Sequence, residues 1–229
     1  MRVRMVLEEK GLEWTSHHLN TRAGEHITPE YFGIHPKGLV PALVHDGEVW
    51  IESNDIICYL DDVYPDPGLT PDDDGGKALL MHWMTLASDI HVSAVKTYIY
   101  SARPKRKRGS PPQDSAHYRQ LQSDAELLEF HERNANGTGL SNHNHKNAER
   151  QLHEAFRELD AHLGDARWLA GQRFSLADIT WVPLHFTLER VGFPFEGYTS
   201  VRNWVTAIMA RPSFGNAVLR WFDGPPEVD

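Results

Sequence analysis

Between Tyr64 and Gly76 the chain reads Tyr-Pro-Asp-Pro-Gly-Leu-Thr-Pro-Asp-Asp-Asp-Gly-Gly. So dense a run of Pro, Gly and Asp suits neither a helix interior nor a paired strand, since Pro lacks an N–H and Gly loses the most freedom on ordering. It separates two unlike parts. Before it lie short segments punctuated by turn signals. After it, apolar residues recur at helical spacing over residues 77–101, 117–133, 147–163, 175–191 and 199–210. The organisation expected is a small α/β domain over 1–65, a linker over 66–76 and an all-helical domain over 77–229.

Within the first part, Val3, Val6 and Leu7 fall at helical spacing until Gly11 stops the pattern. A short apolar, β-prone stretch follows over 12–19, then a polar segment through His35. Residues 42–45 and 49–51 are brief apolar runs separated by Asp46-Gly47, the strongest local signal for a β-hairpin. Ile56, Ile57, Tyr59 and Leu60 then mark a helix over 53–63 that ends near Pro65. In the second part, residues 103–114 are basic and Pro-rich and residues 134–147 are polar; both read as solvated loops.

Composition excludes several classes. The 229 residues are 40% hydrophobic, enough for a substantial core, while a net charge of -9 argues against a polyanion partner, so no nucleic acid is expected. The single cysteine, Cys58, forbids an internal disulfide or a Cys-based metal cluster and reads as a buried, inert thiol. No apolar run approaches the ~20 residues needed to span a bilayer, and Met1-Arg2-Val3-Arg4 lacks the apolar core of a secretion signal, so a soluble cytoplasmic protein without membrane partners is expected. Lys105-Arg-Lys-Arg108 is read as a solvated loop rather than a targeting patch. His143 and His145 lack a carboxylate or thiolate partner, and no metal is expected. Trp83, Trp181 and Trp204 fit helix faces, as core or pocket wall.

Two motifs carry chemistry. In His35-Pro-Lys-Gly-Leu-Val-Pro-Ala-Leu43, Pro41 stands just before a strand, where it removes a ladder donor. One reading is an ordinary turn before an edge strand, which the local residues alone favour. The other is a cis Val40–Pro41 bond that turns the Val40 N–H and C=O outward to pair with an extended peptide. In Ile51-Glu-Ser-Asn-Asp55, Ser53 is a good N-cap, and the cap alone would explain it. The functional reading adds that helix-start N–H groups and Ser53 could hold a carboxylate while Glu52 holds an ammonium, together an α-amino acid head group.

The order of these pieces resembles the cytosolic glutathione transferase family, and in its long middle insertion the bacterial β-etherase branch. The resemblance runs from the first helix with Glu-Lys-Gly-Leu-Glu-Trp14, through Pro-x-Gly-x-Val-Pro-x-Leu43, Asp46-Gly47 and Glu52-Ser53, to Trp168-Leu-Ala-Gly171, Ser175-x-x-Asp178 and Ala210-Arg-Pro-Ser-Phe214. It covers residues 2 to about 222. It implies a thioredoxin-like domain followed by an all-α domain, working as a homodimer that conjugates glutathione to a small hydrophobic electrophile or cleaves one with it. Val40 would pair with the cysteinyl backbone beside cis Pro41. Glu52 and Ser53 would hold the γ-glutamyl end, and Lys37 the glycyl carboxylate. The electrophile would sit against residues 83–100. The family usually has Asn where His35 stands.

One departure matters. The family places a strand before the first helix, central in the sheet between a strand at about 13–19 and one starting near Ala42, and a Tyr, Ser or Cys near that helix contacts the glutathione sulfur. Here Met1 already stands at the helix start, so that residue falls at or before position 1 and no catalytic residue is assigned. Either the natural chain begins upstream, or the protein is a non-catalytic glutathione-binding or interaction protein of the same fold. A third possibility is a glutathione-dependent reductase or peroxidase, which usually uses a cysteine at the start of the first helix, where none stands here.

Overall fold

The computed structural model describes residues 1–102, 116–135 and 141–222. The N-terminal part comprises α1 (Arg2–Glu9), α2 (Pro29–Ile34), a hairpin of β1 (Ala42–His45) and β2 (Glu48–Ile51), and α3 (Ser53–Val63). The hairpin pairs Ala42 with Ile51 and His45 with Glu48. Its turn has both central residues at positive φ, Asp46 at 50° and Gly47 at 84°, the handedness that matches the twist of the flanking strands. His45 bridges the hairpin to α3, with Nδ1 2.7 Å from the Tyr59 hydroxyl and Nε2 3.0 Å from that of Tyr64.

Residues 12–19 do not form a strand. Leu12 and Trp14 are half-buried while Glu13 and Thr15 are exposed, so the alternation of a strand survives. Among the described residues the sheet holds β1 and β2 alone, and nothing beside 12–19 offers a ladder. The segment runs along the surface with Trp14 stacked on Trp221 at 5.5 Å. The polar stretch before His35 contains α2. Its signal is Thr28-Pro-Glu: Thr28 Oγ1 accepts the Tyr31 N–H at 3.2 Å and Pro29 takes the first helical position, where its missing N–H costs nothing.

The C-terminal part is helical: α4 (Asp74–Ile90), a π-helical turn (His91–Lys96), α5 (Thr97–Ala102), α6 (Ala116–Leu121), α7 (Ala125–Ala135), α8 (Asn142–Asp165), α9 (Leu176–Glu189), α10 (Thr199–Met209), α11 (Pro212–Ala217) and a 3₁₀ turn (Leu219–Trp221). The helix expected over 77–101 is thus three segments in a row, its phase shifted by the π turn. It starts earlier than expected, because Asp73 caps Gly76 at 2.8 Å. The one expected over 117–133 breaks at Asp124, whose carboxylate accepts the Leu127 N–H at 3.0 Å and starts α7. Residues 142–147, expected in a loop, belong to α8 because Ser141 caps it. His143 and His145 are therefore helical. The basic stretch 103–114, with Lys105-Arg-Lys-Arg108, lies outside the described residues.

One apolar core joins both parts. Met5, Val6 and Leu7 of α1 are buried with Trp83, Phe156, Trp181 and Trp204, and the Trp181 indole donates to the Trp83 carbonyl at 3.0 Å. Polar ties brace α1. Lys10 meets Asp61 at 2.6 Å in a buried pair and donates to the Tyr64 and Pro67 carbonyls. Glu9 accepts both arms of Arg211, at 2.7 and 2.5 Å, from just before α11. No described helix is long and apolar enough to cross a membrane.

At the centre of the helical part, Asp178 is fully buried and accepts four hydrogen bonds. Oδ1 takes the Leu169 N–H at 3.0 Å and the Trp204 indole at 2.8 Å; Oδ2 takes the Ser175 N–H at 2.9 Å and hydroxyl at 2.8 Å. Burial pushes its carboxyl up, and the four donors pull it back. Asp178→Ala would leave several buried donors unpaired at once. A loss of about 3 kcal/mol in urea unfolding is expected, and a change below about 0.5 kcal/mol would contradict this account.

Candidate functional site

The loop from His35 to Pro41 is fixed from several sides. The Gly38 N–H donates to the His35 carbonyl at 2.7 Å, the Lys37 N–H to His35 Nδ1 at 3.3 Å, and the Tyr31 hydroxyl to the Leu39 carbonyl at 2.6 Å. Gly38 has φ +59°, and a Cβ there would collide with the Phe32 ring. His35 stands where the family usually has Asn. It is buried, and burial holds its imidazole below the usual value against the opposing pull of Glu52, so the neutral ring serves as acceptor for the turn. The Val40–Pro41 bond is cis. Val40 is 49% exposed, and its N–H and C=O have no partner among the described residues.

The start of α3 departs from expectation. Ser53 is the first helical residue, not the cap; Glu52 holds the cap position, and no side chain caps the helix. The first-turn N–H groups of α3 therefore remain open, the positive end of a helix of three turns. Glu52 has φ 62° and ψ 116°, a conformation that L-residues rarely adopt. Its carboxylate is exposed and makes no hydrogen bond or ion pair among the described residues. Ser53 Oγ accepts Arg2 Nη1 at 2.9 Å, while Arg2 Nε donates to the Thr180 carbonyl of α9 at 2.9 Å. Burial brings the guanidinium down to about 10, which leaves it charged at neutral pH. Asn54 extends the joint, donating to Ser88 Oγ of α4 at 3.0 Å.

Across from this turn stands the π-helical segment. Burial, with Lys96 and then Arg2 nearby, pulls His91 down to about 4, and its Nδ1 is buried without a partner. Lys37 does not stand free: its ammonium lies 3.4 Å from Asp124, and Gln122 Nε2 donates to its carbonyl at 3.0 Å. The turn between α6 and α7 thus braces the His35 loop. Cys58 is half-buried rather than fully buried; burial, then Asp62, Asp55 and Asp61, push its thiol up to about 11, so it stays protonated. No group of three or more His, Cys, Asp or Glu side chains suited to a metal occurs among the described residues.

The fold brings Glu52, Ser53 and the α3 N-terminus together, with cis Val40–Pro41 on the preceding loop. It adds Arg2, His91, Lys96 and Asp124, none of which the residue pattern assigned to a site. Arg2 had a signal: two arginines at the start of a helix oppose its dipole, so they need dedicated partners. The π turn that aims His91 and Lys96 leaves no mark in the apolar period.

Residues 1–63 match the model of the glutathione S-transferase N-terminal domain, and residues 140–212 that of its C-terminal domain. The chain is 31% identical to maleylacetoacetate isomerase of Pseudomonas aeruginosa, covering 94% of this chain and 89% of that one. It is 25% identical to glutathione S-transferase TCHQD of Arabidopsis thaliana, over 97% and 86%. Among solved structures, β-etherase LigF from Sphingobium sp. strain SYK-6 superposes with a TM-score of 0.78 at 25% identity, over 96% and 94% of the two chains. A theta class glutathione S-transferase from Xanthomonas axonopodis pv. citri, with glutathione bound, shares the fold with a TM-score of 0.74 at 21% identity, over 95% and 90%. The chain belongs to the glutathione S-transferase family, as a transferase-type enzyme with a thioredoxin-like domain and a helical C-terminal domain.

The backbone at Glu52 gives a test of this site. Residues held at such angles cost about 1–3 kcal/mol, and glycine adopts them freely at an entropic cost of about 0.5–1 kcal/mol. Glu52→Gly should therefore raise unfolding stability by about 1 kcal/mol. Loss of stability in urea denaturation would show that the Glu52 side chain, and not its backbone, dominates there.

Proposed function

We propose that the chain binds glutathione as an extended peptide along the hairpin edge and α3, and passes its sulfur to a small hydrophobic electrophile. The observation that carries this is the uncapped start of α3, where open N–H groups and the Ser53 hydroxyl lie beside an unpartnered Glu52 carboxylate. That pairing of one anion-binding and one cation-binding element suits an α-amino acid head group, as the γ-glutamyl end of glutathione presents. Val40, with a free N–H and C=O, would pair with the cysteinyl backbone. Lys37 would meet the glycyl carboxylate, in competition with Asp124.

In this reading residues 1–65 hold glutathione, 66–76 join the two parts, and 77–229 supply the wall for the electrophile. The reaction forms a bond from the glutathione sulfur to the electrophilic carbon. The leaving group departs with its electron pair, and the thiol proton passes to solvent. No described residue is assigned to the sulfur, and Cys58, protonated within α3, has no part. A homodimer in the cytoplasm belongs to the same proposal by analogy with the family.

The test is titration calorimetry with glutathione beside an assay with an aryl halide and an aryl ether. Wild-type protein should bind glutathione and turn over at least one electrophile. Glu52→Gln should weaken glutathione binding about tenfold, the value of one charge-assisted contact of ~1.4 kcal/mol. Binding without turnover would favour the non-catalytic reading, and absence of glutathione binding would remove the proposal.

A further inference from the structure

Lys96 is the last residue of the π-helical turn, and such turns mark functional sites because they re-aim side chains within a helix. Its neighbours Ala94 and Val95 are buried in the core, which fixes the backbone from which it projects. The side chain is half-buried, yet its ammonium makes no hydrogen bond or ion pair among the described residues. It lies over the Phe130 ring of α7 at 5.8 Å from the centroid, and Phe130 meets Tyr100 edge to face at 6.3 Å. Burial draws the ammonium below its ordinary value and Glu52, on the other part of the chain, draws it back. His91 and His131 are close enough to feel its charge, and burial takes both to about 4, so they are neutral at pH 7 and give it no counter-charge.

Lys96 therefore lies over an aromatic ring of the helical part, near enough to Glu52 to feel its charge without pairing with it. When Glu52 is taken by the ammonium of a bound peptide, its pull on Lys96 weakens and the ammonium is left to another anion. We infer that Lys96 is a specificity-determining residue that selects an electrophile carrying a carboxylate or phenolate on an aromatic body. The anionic group would pair with the Lys96 ammonium while the ring lies against Phe130 and Tyr100. In a chain of net charge -9, a half-buried ammonium with an aromatic ring beneath it and no ion pair among the described residues is open to an anionic ligand group. The inference rests on the glutathione reading, since it places the second substrate beside the peptide held at Glu52.

The experiment compares two glutathione conjugates, S-benzylglutathione and S-(4-carboxybenzyl)glutathione, by titration calorimetry on the full chain. Wild-type protein should bind the carboxylated conjugate about tenfold more tightly, as expected for one partly desolvated charge pair. Lys96→Met should abolish that preference while still binding S-benzylglutathione, which also reports that the variant is folded. Lys96→Arg should keep it. Equal binding of the two conjugates by wild type, or a preference that survives in Lys96→Met, would overturn the inference. So would a Lys96→Met variant that loses both conjugates alike while Lys96→Arg keeps them. Failure of wild type to bind either conjugate would instead remove the glutathione reading, and this inference with it.

Discussion

The Arg2 guanidinium reaches Ser53 at the first turn of α3 with one nitrogen and the Thr180 carbonyl of α9 with another, each at 2.9 Å. Through that bridge the N-terminal part is set against the helical part, and the orientation of the open α3 N-terminus follows from it. The arrangement opposes simple electrostatics. Arg2 sits at the positive end of α1 and beside the positive end of α3, which costs about 0.3–1 kcal/mol per helix end. Two hydrogen bonds to a charged donor, each of order 1.5–3 kcal/mol, outweigh that cost. What remains is a locus of positive potential in an acidic protein, suited to drawing in an anionic ligand.

Other constraints act on the same locus from further away. Asn54 and Ser88 link α3 to α4, and the Gln122–Asp124 turn holds the His35 loop from the C-terminal side. The Glu52 backbone at φ 62° is sustained because β2 ends immediately before it and α3 begins immediately after, leaving the chain one residue in which to turn. The result is a carboxylate pushed into solvent beside a helix start that nothing in the chain caps. Rigid surroundings that hold polar groups unsatisfied are what a binding site requires, since the ordering cost is met in folding rather than in binding.

Much of this was legible in the residues. Asp46-Gly47 specified the hairpin through its positive φ values, and Ser175-x-x-Asp178 specified a buried capping box, because each depends on a few adjacent side chains. The run of Pro, Gly and Asp marked the change of character between α3 and α4, though Asp73 starts the helix inside it. Other features escaped because their cause lies elsewhere in the chain. The alternation at Leu12 to Thr15 reads as a strand, but a strand needs a neighbour, and the described sheet supplies none beside it. Ser53 reads as a cap by residue type, yet Arg2 claims its hydroxyl and Glu52 takes the cap position. The His91–Lys96 turn is invisible because one extra residue in a helix leaves every residue type plausible. Nothing in the residue types marks Lys96, which is half-buried beside Phe130.

The account turns on where a tripeptide thiol meets the main chain, and amide chemical shifts report that directly. In ¹⁵N-labelled protein titrated with glutathione, the account predicts that the largest shift changes cluster on the amides of Val40, Ser53 and Asn54 and saturate together. Saturating changes confined to other helices, with those three amides unmoved, would contradict it.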